Sequence, residues 1–252
     1  MPNALATSGS ARFLHLVLLG ATALSSAATQ AQPDFSGAWT VHRSAPVTGA
    51  AAAPTAQMQL KPEAQKAYND YRSIIEGTDS APGNACVGYG MPDSMLSSGV
   101  YPMEILQRPD QIFVIYESHS EMRRFHIGGA PEDAATAFPE RNGYSIAHWE
   151  GERLIVETSR LKTQVDTRYP HSSAATIREE YYFGEPLEDG TRVLVAELTM
   201  QDPQWLEVPF VTTKRWQELK DYHVLSYECT EPKWLDEMQE LYDAAGLPMV
   251  QD

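Results

Sequence analysis

"NGYSIAHWEGERLIVET", from Asn142 to Thr158, alternates bulky and polar residues, turns on Glu150-Gly151-Glu152, and alternates again. Period-two alternation on both sides of a glycine-bearing turn predicts two β-strands, "YSIAHWE" and "RLIVETS", joined as a hairpin. A strand points successive side chains to opposite faces. The histidine, tryptophan and glutamates of this stretch are therefore divided between a buried and a solvated side.

The same pattern extends in both directions. "EILQRPDQIFVIYES" supplies one or two strands upstream and "EMRRFHI" their partner. "TIREEYYF", "TRVLVAELTM", "FVTTKRWQEL" and "YHVLSYEC" continue the run downstream, with "GEPLEDG" a turn between the first two. About eight strands joined mostly by short turns predict an all-β fold, an antiparallel meander closing into a barrel, which leaves no exposed edge. Two helices flank it. "KPEAQKAYNDYRSIIEG" has proline near its start and glycine at its stop, and "PKWLDEMQELYDAAGLP" predicts an amphipathic C-terminal helix over about 232–246. "APVTGAAAAPTA" is a linker, and "APGNACVGYGMPDSMLSSG" is a loop.

Residues 1–31 do not belong to the barrel. "ARFLHLVLLGATALSSAATQA" has a lone arginine, a short apolar run and small residues before Ala31, the pattern of a signal peptide cleaved after Ala31. The apolar run is too short to span a bilayer, so no retained membrane anchor is expected, and residues 32–252 form a single domain. Cleavage removes one basic residue and no acid, taking the net charge from −15 to −16. Such a chain repels nucleic acid and anionic surfaces. Cys86 and Cys229 fall in the exported part, where a lone pair forms one disulfide.

"DFSGAWT" resembles the G-x-W opening of lipocalins and related calycin barrels. That resemblance implies a buried Trp39 at one end with a late-strand cation, Lys214 or Arg215, packed on it. "CVGYGMP", "YPMEILQRPDQIFVIYE", "RRFHI", "GYSIAHWEGERLIVET", "DPQWLEVPF" and "YEC" are together similar to a family of exported bacterial proteins. Its members share a Cys…Gly-Met-Pro loop, a Pro-x-Glu-Ile strand, a W-E-G-D-x-L-V-V hairpin and an Asp-Pro. The family implies a barrel-like β domain and supplies no chemistry. The chain departs from it in three places: Glu152 replaces the usual aspartate, "HIGGAPEDAATAFP" lacks an Asp-Gly-Arg, and Glu180 stands where an arginine is common.

No Gly-x-Ser-x-Gly, HExxH, P-loop, dinucleotide fingerprint or zinc spacing occurs, so a covalent hydrolase, nucleotide enzyme or metal centre is not expected and no cofactor is implied. The chemistry must come from ionisable groups inside strands and at loop ends. Glu117, Arg124, His126, Tyr144, His171, Glu179 and Asp202 are the candidates for acid–base work. Tyr89, Met91, Tyr101, His148, Tyr181 and Trp205 are candidates for ligand contact. An inward carboxylate or histidine needs a partner or a use, because a buried charge costs several kcal/mol. The resulting expectation is an exported, cofactor-independent lyase, hydratase or isomerase acting on a small hydrophobic or aromatic molecule. A non-catalytic carrier of such a ligand is the alternative, and a structural envelope protein binding another protein is a third.

Overall fold

The structure, a computed structural model, describes residues 32–42, 58–78, 83–97, 101–229, 236, 239–241 and 243–246. The leader expected over residues 1–31 and the linker read over 45–56 lie outside them, as does most of the tail helix. Of that helix, residues 236, 239–241 and 243–245 are described, and they are helical.

Nine strands form a closed barrel. They are β1 (Gly37–Val41), β2 (Met103–Gln107), β3 (Gln111–Tyr116), β4 (Glu121–Ile127), β5 (Tyr144–Glu150), β6 (Arg153–Ser159), β7 (Thr176–Phe183), β8 (Val193–Gln201) and β9 (Phe210–Leu219). Besides the partly described tail helix, the described residues hold three α-helices: α1 (Pro62–Ile75), α2 (Asp93–Leu96) and α3 (Pro131–Thr136). The expected number was about eight. The Arg108-Pro109-Asp110 turn divides one anticipated stretch into β2 and β3, while "YHVLSYEC" forms no strand. Residues 222–229 instead run as a strap over the wall, where His223 and Val224 meet the Glu104 carboxylate and Tyr222 and Leu225 meet that of Glu117.

A ring with an odd number of strands cannot alternate direction throughout. Eight of the nine pairings are antiparallel, and the mismatch falls between β4 and β5, which run parallel through a connection carrying α3. That ladder is short: Phe125, His126 and Ile127 pair with Ser145, Ile146 and Ala147, and the first half of β4 has no partner on this side.

Alternation fills the interior with Phe125 and Tyr116 from the β2–β4 side and Leu154, Val156, Ile177, Leu198 and Trp216 from the rest, all nearly fully buried. At one end Phe35 packs edge-on against Phe183, 5.0 Å between centroids, and the fully buried Trp39 lies alongside. The cation over the Trp39 ring belongs to Arg192, 5.2 Å away, and not to Lys214 or Arg215. Arg192 reaches it because Glu218 takes two of its hydrogen bonds, at 2.6 and 3.0 Å, while the carbonyls of Asp34 and Ser36 take the others. The opposite end is plugged by residues 88–96, whose Met91 and Met95 are wholly buried. The Glu121 carboxylate seats this plug by accepting from the amides of Tyr89 and Gly90 (2.9 Å each) and the Ser94 hydroxyl (2.7 Å). Gly88 is required here, since a Cβ would fall 2.5 Å from Glu121.

Candidate functional site

Period two puts Arg123 and Phe125 on the inner face of β4 and Arg124 and His126 on the outer. Inside, Arg123 meets Glu179 of β7 through two contacts, Nη1 to Oε1 at 3.1 Å and Nη2 to Oε2 at 2.7 Å. Nη2 also donates to Ser145 Oγ (3.3 Å) and Thr158 Oγ1 (3.1 Å), which are 2.8 Å apart. The Tyr181 hydroxyl donates to Glu179 Oε1 at 2.8 Å. Both side chains of the ion pair are shielded from solvent, with 1% and 0% exposure. A buried pair survives when hydrogen bonds occupy its remaining lone pairs and protons; here the Glu179 carboxylate accepts three, while Arg123 Nε finds no partner among the described residues. Burial is the largest influence and works against the Arg123 charge, but Glu179 together with Tyr116 and Tyr181 outweighs it and the guanidinium stays protonated. Burial and then the Glu179 charge raise Tyr181 well above the ordinary tyrosine range, so it stays a phenol and a donor. Tyr116 completes the group. Burial pushes it up to about 12, with the nearby Arg123 opposing, and its hydroxyl makes no hydrogen bond of good geometry among the described residues.

This interior group lies buried behind the parallel seam. Continuing the β4–β5 register backwards would place Arg124 beside Tyr144 and Arg123 beside Gly143, but the ladder stops at Phe125 and Ser145. Gly143 shows why. Its backbone has φ +65° and is pressed onto β6, where a Cβ would lie 2.6 Å from the Ser159 carbonyl oxygen. The start of β5 thus leans away from β4, and the two strands rejoin only where Asn142 donates to Glu121 at 3.3 Å. A notch of about 310 Å³ opens between them, lined by Arg123, Arg124, His126, Glu140, Tyr144 and Ser145 among others. On its rim the His126 and Tyr144 rings stack, 4.6 Å apart and 12° from parallel. Burial, then the neighbouring Arg124, lower the His126 pKa, with Asp133 opposing, which favours the neutral imidazole. The arrangement offers a neutral base on the rim and a fixed positive charge rooted in the interior. A larger groove of about 600 Å³ lies outside the barrel, between α3 and β5–β8, lined by Pro131, Ala134, Ile146, Glu157 and Arg178. Arg178 is bound to Glu180, and no buried ionisable side chain reaches that groove.

Of the expected acid–base residues, Arg124, His126 and Tyr144 share the notch, and Glu179 stands behind it through Arg123. The others lie elsewhere. Glu117 Oε2 accepts from the Tyr222 hydroxyl (2.7 Å) and the Leu225 amide (2.9 Å), holding the strap. Asp202 accepts from the Ser172 amide and hydroxyl and from the amides of Gln204 and Trp205, organising two loops. His171 is completely buried; its Nδ1 donates to the Tyr169 carbonyl at 2.9 Å, and burial lowers its pKa.

The expected ligand contacts scatter likewise. Tyr181 is in the interior group, Met91 is core, and His148 faces outward against Glu150. Tyr89 packs on His119, Tyr101 on Tyr227, and half-buried Trp205 joins the 202–206 turn.

Arg123, Tyr116, Ser145 and Thr158 were not singled out from the sequence as site residues. For Arg123 the signal was present, since it shares a face with Phe125 and Ile127 in "EMRRFHI", the more apolar of the two sets.

The Cys86–Cys229 disulfide is formed, in keeping with an exported protein. No helix among the described residues is long and apolar enough to cross a membrane. No group of three or more metal-ligating side chains occurs among the described residues. No protein-family model matches the chain, and no curated protein matches it significantly.

Proposed function

We propose that this is an exported, cofactor-independent enzyme that binds a small organic molecule in the β4–β5 notch and moves a proton on it. The carrying observation is the interrupted parallel seam, whose notch is lined by His126 and Arg124 and backed by the buried Arg123. His126 takes the proton, because an imidazole of lowered pKa is free to accept at neutral pH. Arg123 stabilises the negative charge that develops on a carbonyl or carboxylate oxygen, in a setting with little water. Glu179 and Tyr181 act through Arg123, fixing its guanidinium, and Tyr144 orients the His126 ring by stacking. Lyase, hydratase or isomerase chemistry needs no more than this, and the family resemblance and the signal-like leader favour an extracytoplasmic setting.

The second reading is a carrier. It is favoured by the saturation of Glu179, whose two oxygens already accept three hydrogen bonds and leave it little capacity as a base. A metabolite screen by thermal shift identifies the ligand class, and turnover of the hits is then followed by NMR. His126→Ala should reduce turnover by about 10²-fold or more while leaving binding within a few fold. Binding without turnover selects the carrier, and full activity in His126→Ala removes His126 as the base.

A further inference from the structure

One side of α1 forms a small cleft with the loop between β6 and β7. Tyr68, Tyr71, Arg72 and Ile75 are spaced i, i+3, i+4 and i+7, so they share that side of the helix. Ala64, one turn earlier on the same side, is wholly buried, and the Lys61 amide and ammonium donate to the carbonyls of Trp205 (2.8 Å) and Pro203 (2.7 Å). The start of the helix is thus pinned, while its later turns bury no side chain fully. Between those turns and residues 166–168 lies a cleft of about 140 Å³, with the plug residue Asp93 in its wall. Asp93 is 1% exposed. Its Oδ2 accepts from the Thr167 hydroxyl (2.8 Å) and the Arg168 amide (3.0 Å), whereas its buried Oδ1 accepts no bond among the described residues. The other carboxylate of the cleft, Asp166, is already held by Arg141 at 3.0 Å. Arg72 and Arg168 line the cleft too, and neither forms an ion pair among the described residues. Burial and then the Asp166 charge raise the Tyr71 pKa, with Arg72 opposing, so Tyr71 stays a phenol among these charges.

We propose that this cleft binds a small zwitterion, an α-amino acid of about alanine's size, with its ammonium on Asp93 Oδ1 and its carboxylate on Arg72 and Arg168. A buried carboxylate oxygen without a donor carries a free-energy cost that a ligand ammonium removes. Two guanidinium groups without carboxylates supply the complementary charge at the same opening. A simple amine would satisfy Asp93 but meet the two arginines as like charges. A simple carboxylate would pair with the arginines but leave Oδ1 unpaired. A molecule with both signs a few bonds apart answers both demands. The size agrees, since a cavity of roughly 150 Å³ holds one benzene ring, and alanine has the same number of heavy atoms.

The test titrates the full mature protein, isotope-labelled for amide NMR, with L-alanine and in parallel with its two halves, propionate and ethylamine. The amides of Asp93, Thr167 and Arg168 should shift with L-alanine and saturate at a concentration at least about tenfold below that needed with either half. The amides of Arg124, His126 and Tyr144 should stay in place, which separates this cleft from the notch whether or not the notch binds a substrate. Replacing the exposed pair together, Arg72→Gln with Arg168→Gln, should weaken L-alanine by at least about tenfold and keep the near-ultraviolet dichroism of the folded protein. Three results in the native protein overturn the proposal: a half that binds as tightly as L-alanine, shifts confined to the notch, or no shift at the three cleft amides. Each assigns Asp93 to bracing residues 167–168 alone. Because these readings come from the native protein, they stand whether or not the variant folds.

Discussion

Arg123 and Glu179 meet face to face across the barrel interior, two nitrogens on two oxygens, with neither side chain exposed to solvent. The pair is a strength only while both members are present. Arg123→Met leaves a buried carboxylate supported by Tyr181 alone, and Glu179→Gln leaves a buried guanidinium without its counter-ion. Each single change should cost about 3–5 kcal/mol. The double variant Arg123→Met with Glu179→Leu should be more stable than the sum of the singles predicts, because the uncompensated charge disappears with both. Urea unfolding of the four proteins measures the coupling. Additive losses would mean that Ser145, Thr158 and Tyr181 hold each partner independently.

Gly143 sets the shape of the notch. Its left-handed backbone and its 2.6 Å approach to a main-chain oxygen leave no room for a side chain. Gly143→Ala should cost about 1–3 kcal/mol from the backbone conformation, with more if Ser159 cannot withdraw. The unfolding midpoint in urea reads the loss, and a change below about 0.5 kcal/mol would show that β5 can lean back towards β4.

How far the sequence reveals this molecule depends on what each feature is encoded by. The Tyr144–Ser159 hairpin was legible because period two is a local property, and Leu154, Val156 and Thr158 duly face inward while Glu157 faces out. The strap at 222–229 was misread for an equally physical reason. Its alternating Tyr222, His223, Val224 looks like a strand start, yet β9 and β1 already complete the ring, and carboxylates take several of its donors. The parallel seam follows from the strand count, which no short window contains. The choice between Arg123 and Arg124 turned on which face of "EMRRFHI" pointed in. Two adjacent arginines make that faint, and Arg123 proved to be the buried one. Loop residues such as His171 and Asp202 have no period to place them, so their distance from the notch was not readable.

His171 predicts a dependence on pH. Burial lowers its folded-state pKa from the ordinary 6.5, so below pH 6.5 the unfolded chain takes up a proton that the folded protein resists. Its contribution is therefore full above pH 6.5 and is lost as the pH falls towards the lowered value. Between pH 7.5 and 5.5 the native protein should lose stability that His171→Gln does not, each compared with its own value at pH 7.5. Equal slopes from urea unfolding would show that the ring titrates as freely inside as outside.

The Cys86–Cys229 bridge joins the loop preceding the plug to the end of the strap, across 143 residues of sequence. Closing a loop of that length contributes about 4–5 kcal/mol on the chain-entropy account, by restricting the unfolded chain. The native barrel needs none of it locally, since its closing ladder runs through β1 and β9. Replacing both cysteines by serine should therefore lower the unfolding midpoint while leaving the far-ultraviolet dichroism of the barrel unchanged. The strap should respond differently, because Glu117 and Glu104, through bonds at 2.7–3.3 Å, then hold it with only the Tyr227 contacts to Ser120, His119 and Tyr101 beside them. Amide exchange at Leu225 should quicken by more than the global loss of stability explains, and adding Glu117→Gln should quicken it further. Protection at Leu225 that falls only in step with the barrel strands would show that the two carboxylates hold the strap closed without the disulfide.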